Sequence, residues 1–315
     1  MTLVMSLVSS AFVLQVSDRL VSQQWVYQDG TSRYRPFDVL SNKSILFLAK
    51  DALVSISYSG TAFIRGMPTD VWLARALHPP LGAKPRFAFQ AGDDYKSEPL
   101  YTAVARLGER LLTDFGAMPP ERREQGLYLE IVGYRWSRRR RIEIPFAWHL
   151  WHSGDLSQKG QIRRYPRYWG WESGGYSICT IGDRGTRPEL EASRRFDEKK
   201  SIDENDAESC LVEVIRVASR ESKGTIGQDC ISIVFARYSD SIRIRYLPHK
   251  AQKKAYDVYT PWIIMPGRGV VAPSVLVNRL ATFHLRGVVV TLERETDTPD
   301  DNGPSSFSSQ DRPSY

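Results

Sequence analysis

Residues 1–20 read MTLVMSLVSSAFVLQVSDRL, and most of this stretch consists of two short apolar segments, residues 3–8 and 11–16. Both segments contain β-branched residues, and two serines separate them. Because polar residues hardly alternate with the apolar ones, the pattern predicts a hairpin whose two strands are buried on both faces. A sheet that is covered on both faces needs a further layer on each side, so this hairpin sets the architecture of the domain.

The rest of the chain changes between strand and helix patterns. Strands are predicted within residues 43–60, 126–134, 141–151, 174–183 and 228–247, and helices over residues 67–80, 97–112 and 203–221. Beyond residue 250 the pattern predicts a strand within 259–267, a helix over 274–283 and a strand over 286–294. Two stacked sheets with helices on the outside satisfy this order, which is typical of an α+β fold.

The length of 315 residues suits one large domain or two modest ones. We expect a single domain over residues 1–295, interrupted by an insertion at about residues 135–172 and completed by an extension at about residues 250–295. Residues 296–315 are rich in Ser, Pro, Asp and Gly, so they cannot bury enough apolar surface to fold and are predicted to be disordered.

Composition narrows the classes of protein. The net charge of +7 is mildly basic, which permits contact with nucleic acid without requiring it. The cysteines Cys179, Cys210 and Cys230 lie far apart and form no C-x-x-C pair, so they predict neither a disulfide framework nor a zinc module and favour a reducing, cytoplasmic setting. No apolar segment reaches the roughly 18–20 residues of a membrane-spanning helix.

Two further features point away from secretion and from metal binding. Residues 3–16 have the length of a signal-peptide core, but no positive charge precedes them and Asp18 follows where small residues are preferred, so we expect no signal. His149 and His152 are three positions apart in a predicted strand, which places them on opposite faces and argues against a joint metal site. We predict no metal, no cofactor and no membrane partner.

Several short motifs share their order and spacing with a known family. Thr2 follows the initiator methionine, Asp18 stands sixteen positions later, and Lys43 opens an apolar strand in NKSILF. Gly60 closes the next strand in SYSG, and the small-residue loop TIGDRG contains Asp183. In these residues the chain resembles the proteasome β-subunit family of N-terminal-nucleophile hydrolases.

The resemblance spans roughly residues 2–248 and implies a four-layer α-β-β-α sandwich of two mainly antiparallel sheets. The implied catalytic set is Thr2, Asp18, Lys43, Gly60 and Asp183, and the implied substrate-binding set is Val21, Tyr58 and Ala62. The chain departs from the family where Arg19 directly follows Asp18 and where Asp183 replaces a serine.

A terminal threonine suits amide hydrolysis for a chemical reason. Its hydroxyl is a weak nucleophile that needs a base, and its own α-amino group, with an unperturbed pKa of about 7.7–8.0, can act as that base. In the implied scheme Lys43 keeps the amine neutral, Asp18 holds Lys43, and the Gly60 N–H faces the developing oxyanion. We therefore predict a threonine hydrolase that cleaves peptides or other amides and assembles as a homo-oligomer, with a ring as one form.

Two other functions remain open at this stage. The first is a proteasome-like subunit without catalysis that serves as a scaffold. The second is a nucleic-acid-binding module, because the segments YRWSRRRRIEIP (residues 134–145) and QIRRYPRYWGWESGG (residues 161–175) combine arginine with Trp and Tyr. Nucleic acid is the less favoured partner, since a solvated hairpin rim or a subunit contact also explains this composition.

Overall fold

The computed structural model of the chain describes residues 2–26, 29, 31–38, 41–78, 89–91, 97–137, 142–153, 161–165, 175–182, 188–198, 202–222, 224–237, 241–249, 260–266, 269–271, 280–285 and 288–294. Within these ranges the helices are α1 (Thr69–Leu77), α2 (Leu100–Gly116), α3 (Pro120–Arg123), α4 (Pro188–Asp197) and α5 (Glu204–Glu221). The strands of the first half are β1 (Leu3–Ser9), β2 (Phe12–Asp18), β3 (Val21–Val26), β4 (Ser32–Asp38), β5 (Ser44–Ala49), β6 (Ala52–Gly60), β7 (Phe63–Ile64), β8 (Met67–Pro68) and β9 (Phe89–Ala91). Those of the second half are β10 (Leu127–Ser137), β11 (Ile142–His152), β12 (Gln161–Tyr165), β13 (Tyr176–Gly182), β14 (Cys230–Ala236), β15 (Ser241–Leu247), β16 (Ile263–Met265), β17 (Gly269–Val271), β18 (Leu280–Leu285) and β19 (Val288–Arg294).

The opening stretch forms the predicted hairpin. β1 and β2 pair antiparallel, with Leu7 opposite Leu14, and every residue of both strands is buried. The Ser9 hydroxyl closes the turn, since it accepts the N–H of Phe12 at 3.0 Å and donates to the Phe12 carbonyl at 2.7 Å. A side chain therefore satisfies the backbone groups that the tight turn leaves without a strand partner.

Two large sheets make up most of the fold. The seven-stranded sheet has the order β13-β1-β2-β14-β15-β19-β18, and the eight-stranded sheet has the order β12-β11-β10-β6-β5-β16-β17-β9. Most of their neighbouring strands are antiparallel, but β15 pairs with β19 and β5 pairs with β16 in parallel. The chain is therefore a mixed α+β protein with two large mixed sheets.

Buried apolar side chains form three clusters. One joins α1 and α2 to the eight-stranded sheet, a second contains side chains from both large sheets, and a third joins the seven-stranded sheet to α4 and α5. The first hairpin contributes to two of them, because Leu3 and Leu7 belong to the helix-facing cluster whereas Val8 and Val13 belong to the cluster that both sheets share. This distribution is compatible with a sandwich.

The C-terminal extension differs from its prediction. Residues 280–285, in the second half of the helix predicted over 274–283, form strand β18, which pairs antiparallel with β19. Tertiary pairing overrides a weak helical pattern here, because β19 is itself held in parallel against β15 and offers its other edge. The helix prediction is wrong for that half, and residues 274–279 lie outside the described ranges.

Part of the region predicted as an insertion is a regular sheet strand. β11 lies between β10 and β12 in the eight-stranded sheet, and its Phe146, Trp148 and Leu150 side chains are buried. The basic run at 138–141 and the aromatic segment at 166–174 lie outside the described residues. Across the described ranges, no helix has both the length and the apolarity that crossing a bilayer requires.

Candidate active site

Asp18, the last residue of β2, anchors the candidate site. Its carboxylate is completely buried and accepts three backbone N–H groups, from Leu3 at 2.9 Å, from Leu20 at 3.1 Å and from Gly227 at 2.9 Å. These donors come from β1, from the segment after β2 and from the loop before β14. The carboxylate thus fixes the start of β1 to two other parts of the chain.

Lys43, the residue before β5, completes a buried ion pair with Asp18. Its Nζ lies 3.0 Å from Asp18 Oδ2 and also donates to the Leu20 carbonyl, and its side chain is 1% exposed. Burial lowers the pKa of Lys43, and the adjacent Asp18 carboxylate counteracts that effect. Asp18 therefore favours retention of the lysine charge in a place where an isolated cation would be very costly.

Thr2 is buried at the point where three strands meet. Its carbonyl accepts a hydrogen bond from Ser59 Oγ of β6 at 3.3 Å. Gly182 of β13 lies against the same carbonyl with φ of +115°, and a Cβ atom on Gly182 would lie 1.6 Å from Thr2 O. Only glycine fits this close approach, so the backbone of Thr2 is held between β6 and β13.

Gly60 adjoins Ser59 and has a backbone reason of its own to be glycine. Its φ is +99°, and a Cβ atom there would lie 2.4 Å from the carbonyl oxygen of Gly126. The sequence explained this glycine by close approach of a substrate, whereas the structure gives a contact with the turn before β10 as a sufficient reason. The end of β6 nevertheless lies beside Thr2, through the hydroxyl of Ser59.

The residues implied to bind substrate line one cavity. Val21, Tyr58 and Ala62 all border a cavity of about 530 Å³, and so does Asn42, which directly precedes Lys43. The cavity therefore lies next to the buried ion pair. Its remaining lining residues are Phe37, Asp38, Ser41, Phe63, Pro68, Asp70 and Val71.

Two acidic residues of this cavity were not predicted as site residues. Burial raises the pKa of Asp70, and burial together with the charge of Asp70 raises the pKa of Tyr58. Asp38 lies on β4, in a polar stretch without a motif, and Asp70 lies in the first turn of α1, where acids are common for helix stability alone. No sequence signal separated either residue from an ordinary surface acid.

The structure thus brings Thr2, Asp18 and Lys43 to one end of the sheets, with Ser59 and Gly60 alongside. Asp183 lies outside the described residues, directly after β13. The sequence also missed Gly227 and Gly182, which contact Asp18 and Thr2 through their backbones. Both are separated from these partners by long stretches of chain, and a single sequence carries no mark of such pairings.

Comparison with known proteins gives one distant structural match. No family model matches the chain, and no curated protein matches it. The chain is similar to the structure of Anbu (ancestral beta-subunit) from Yersinia bercovieri, with a TM-score of 0.43 and 13% sequence identity, over 75% of this chain and 82% of that one. At this TM-score the likeness carries no argument about fold or activity.

These findings correct the resemblance to the proteasome β-subunit family. The motifs agreed in order and spacing, but no family model matches and the structural neighbour is an ancestral beta-subunit at low similarity. Each motif was one or two residues long, so agreement in position alone overstated the relationship. The chain is not assigned to that family, and a function for it has to be inferred from the geometry of its own residues.

Proposed function

We propose that this chain is an N-terminal threonine hydrolase that cleaves a peptide or another amide bond, with Thr2 as the nucleophile once the preceding methionine has been removed. The observation that carries the proposal is the buried Lys43–Asp18 pair, because Asp18 also accepts the N–H of Leu3, the residue that follows Thr2. A cation and its counterion are thus built into the protein within one residue of the proposed nucleophile.

The proposed reaction uses the two ends of Thr2. Its α-amino group takes the proton of the hydroxyl as Oγ attacks the amide carbon, and it then delivers that proton to the leaving amine. Water next cleaves the acyl-threonine ester by the same proton transfers, releasing the acid and restoring Thr2. Lys43 keeps the amine neutral through its positive charge, and Asp18 is a positioning residue that holds Lys43.

Two further roles belong to this proposal. The Gly60 N–H donates to the oxyanion of the tetrahedral intermediate, a role that the position of Gly60 beside Ser59 and Thr2 supports. The cavity lined by Val21, Tyr58 and Ala62 takes the substrate side chain next to the scissile bond, since it also borders Asn42. Asp183 would act in the same site, from the loop after β13.

The proposed site fits a four-layer arrangement. The three apolar clusters support the order α1 and α2, eight-stranded sheet, seven-stranded sheet, α4 and α5, which is the α-β-β-α sandwich expected from the sequence. In that order Thr2 lies at one end of the layer between the sheets. A single domain over residues 1–295, assembly into a homo-oligomer and a cytoplasmic setting stay predictions.

The test combines intact mass with covalent trapping of the full-length chain. The purified protein should lack the initiator methionine and should gain one adduct with an epoxyketone, an electrophile that reacts with a terminal threonine. Thr2→Ala should gain none, whereas Thr2→Ser should still react because it keeps a hydroxyl and an amine. Lys43→Ala should react about 10²-fold more slowly or worse.

Each arm has an outcome that contradicts the proposal. Equal labelling of Thr2→Ala would show that another residue reacts, and an unchanged rate in Lys43→Ala would remove Lys43 from the mechanism. A folded native chain that keeps its methionine and takes no label would support the scaffold function instead.

A further inference from the structure

A belt of polar side chains crosses the layer between the two large sheets, away from Thr2. On the eight-stranded sheet its members are register partners on four neighbouring strands, namely Ser44, Ser57, Glu130 and His149. On the seven-stranded sheet they are partners on three neighbouring strands, namely Gln15, Ser6 and Cys179. Polar residues that face each other from two sheets in an otherwise apolar layer need a specific reason, because burial of unsatisfied polar groups is costly.

Most of the belt is explained by its own hydrogen bonds. The hydroxyls of Ser55 and Ser57 both donate to Gln15 Oε1 at 2.5 Å, and the hydroxyl groups of Ser44 and Ser57 are 2.6 Å apart. Gln15 Nε2 in turn donates to Ser6 Oγ at 3.2 Å. This half of the belt is a network of neutral groups that satisfy one another.

The other end of the belt contains a charged group in a different setting. Glu130 is completely buried, and its Oε2 accepts Ser6 Oγ at 2.7 Å and Gln15 Nε2 at 3.2 Å. Its Oε1 faces His149 Nε2 at 3.2 Å. One carboxylate oxygen is therefore held by two outer donors, while the other is presented toward a ring nitrogen.

Cys179 adds a sulfur atom to the same place. A carboxylate oxygen of Glu130, a ring nitrogen of His149 and the Cys179 Sγ all lie within 4.8 Å of one another. The three residues come from β10, β11 and β13, so they reach the site from both sheets. Their backbones are fixed by strand pairing, which makes the arrangement rigid.

We propose that Glu130, His149 and Cys179 bind a zinc ion that links the two sheets. Thiolate, imidazole and carboxylate are the three ligand types that Zn²⁺ takes in proteins, at about 2.3, 2.0–2.1 and 2.0–2.2 Å. Around a tetrahedral ion such distances place ligand atoms about 3.3–3.8 Å apart, so small side-chain rotations suffice to close the site. Ser6 and Gln15 orient the carboxylate from outside, as hydrogen-bond partners of metal ligands commonly do.

The ligand set also selects among cations. Mg²⁺ and Ca²⁺ prefer sites made of oxygen atoms alone, whereas a thiolate and an imidazole favour zinc and neighbouring transition metals. Three protein ligands leave a fourth position for water or a small anion. His149 is 16% exposed, so its side of the cluster gives an ion a route from solvent.

The zinc proposal does not depend on the proposed hydrolase. Ser6 is four positions from Thr2 along β1, which corresponds to about 13 Å in an extended strand. The ion therefore contacts none of Thr2, Asp18 or Lys43. Loss of zinc binding and loss of threonine reactivity are separate outcomes and are measured on different variants.

The test uses the full-length chain, freed of metal with a chelator and then titrated with Zn²⁺ in a calorimeter, and with Co²⁺ as a spectroscopic substitute. We expect one ion per chain and a thiolate-to-cobalt charge-transfer band in the near ultraviolet. Cys179→Ser should abolish the band and His149→Ala should weaken zinc binding strongly. Ser6→Ala, which removes only an outer hydrogen bond, should lower zinc affinity about 10- to 100-fold.

The matched control is Cys210→Ser. Cys210 is as buried as Cys179 but lies on α5, outside the cluster, so its replacement should leave the affinity and the cobalt band unchanged. A folded wild-type chain that gives no thiolate–cobalt band would overturn the proposal, even if a variant failed to fold. Zinc binding that is equally tight in Cys179→Ser and Cys210→Ser would overturn it as well.

Discussion

Asp18 and Glu130 are both completely buried acids, and they are compensated in opposite ways. Asp18 has a lysine and three backbone N–H donors, and both of its oxygens are in use. Glu130 has two neutral donors on one oxygen and a histidine at the other, and no lysine or arginine pairs with it among the described residues. The first carboxylate is suited to holding a fixed cation, and the second to accepting one from solution.

The comparison breaks most visibly at Asp18. Asp18→Asn leaves the lysine ammonium buried without its counterion, so we expect the free energy of unfolding to fall by about 3–5 kcal/mol. Reaction of Thr2 with an epoxyketone should be lost with it, because Lys43 is no longer held. Urea denaturation followed by circular dichroism measures the first effect, and intact mass measures the second. A variant as stable as the parent would mean that Lys43 does not need this counterion.

Glu130→Gln should behave differently in metal-free protein. The amide oxygen can still accept Ser6 and Gln15, and removal of a buried charge offsets what the change costs, so we expect the unfolding free energy to change by about 1 kcal/mol or less. Added zinc should raise the unfolding temperature of the parent chain but not of the variant. A large loss of stability without zinc would show that Glu130, like Asp18, is part of a fixed ion pair.

The smallest effect is expected for an acid at the surface of α4. Glu191 pairs with Arg195 one helical turn away, with Oε1 and Nε 2.8 Å apart, and both side chains are about one-third exposed. The neighbouring Arg195 lowers the pKa of Glu191, but solvent screens the pair, so Glu191→Gln should cost only about 0.3–0.5 kcal/mol. The same urea titration measures it, and a cost near that of Asp18→Asn would contradict the role assigned to burial.

The local pattern predicted the elements well. The hairpin at residues 3–16 forms as expected because its apolar runs leave little choice, and the helices near residues 69 and 100 form where spacing and prolines indicated. Asp18 and Lys43 were selected by their positions relative to Thr2, and they do form a contact. The family name attached to that spacing did not hold, because a short motif fixes a position and not an ancestry.

Pairings between distant parts of the chain were beyond the sequence. The first hairpin was interpreted as wholly apolar, yet Ser6 and Gln15 point at Glu130, more than 100 residues later. A lone acid inside the apolar strand GLYLEIVGY was the available signal for this cluster. Its meaning depends on partners supplied by other strands, and one sequence does not state which strands become neighbours.

The pairing of the first hairpin has a consequence for folding during synthesis. β1 and β2 are made first, but their outer edges pair with β13 and β14, which are made more than 150 residues later. At about 5–20 residues per second, two apolar strands wait for roughly ten seconds or more with both edges open to other chains. Contacts this far apart in sequence also slow folding itself. We expect the nascent chain to depend on chaperones, and a fragment ending before residue 176 to aggregate rather than to fold.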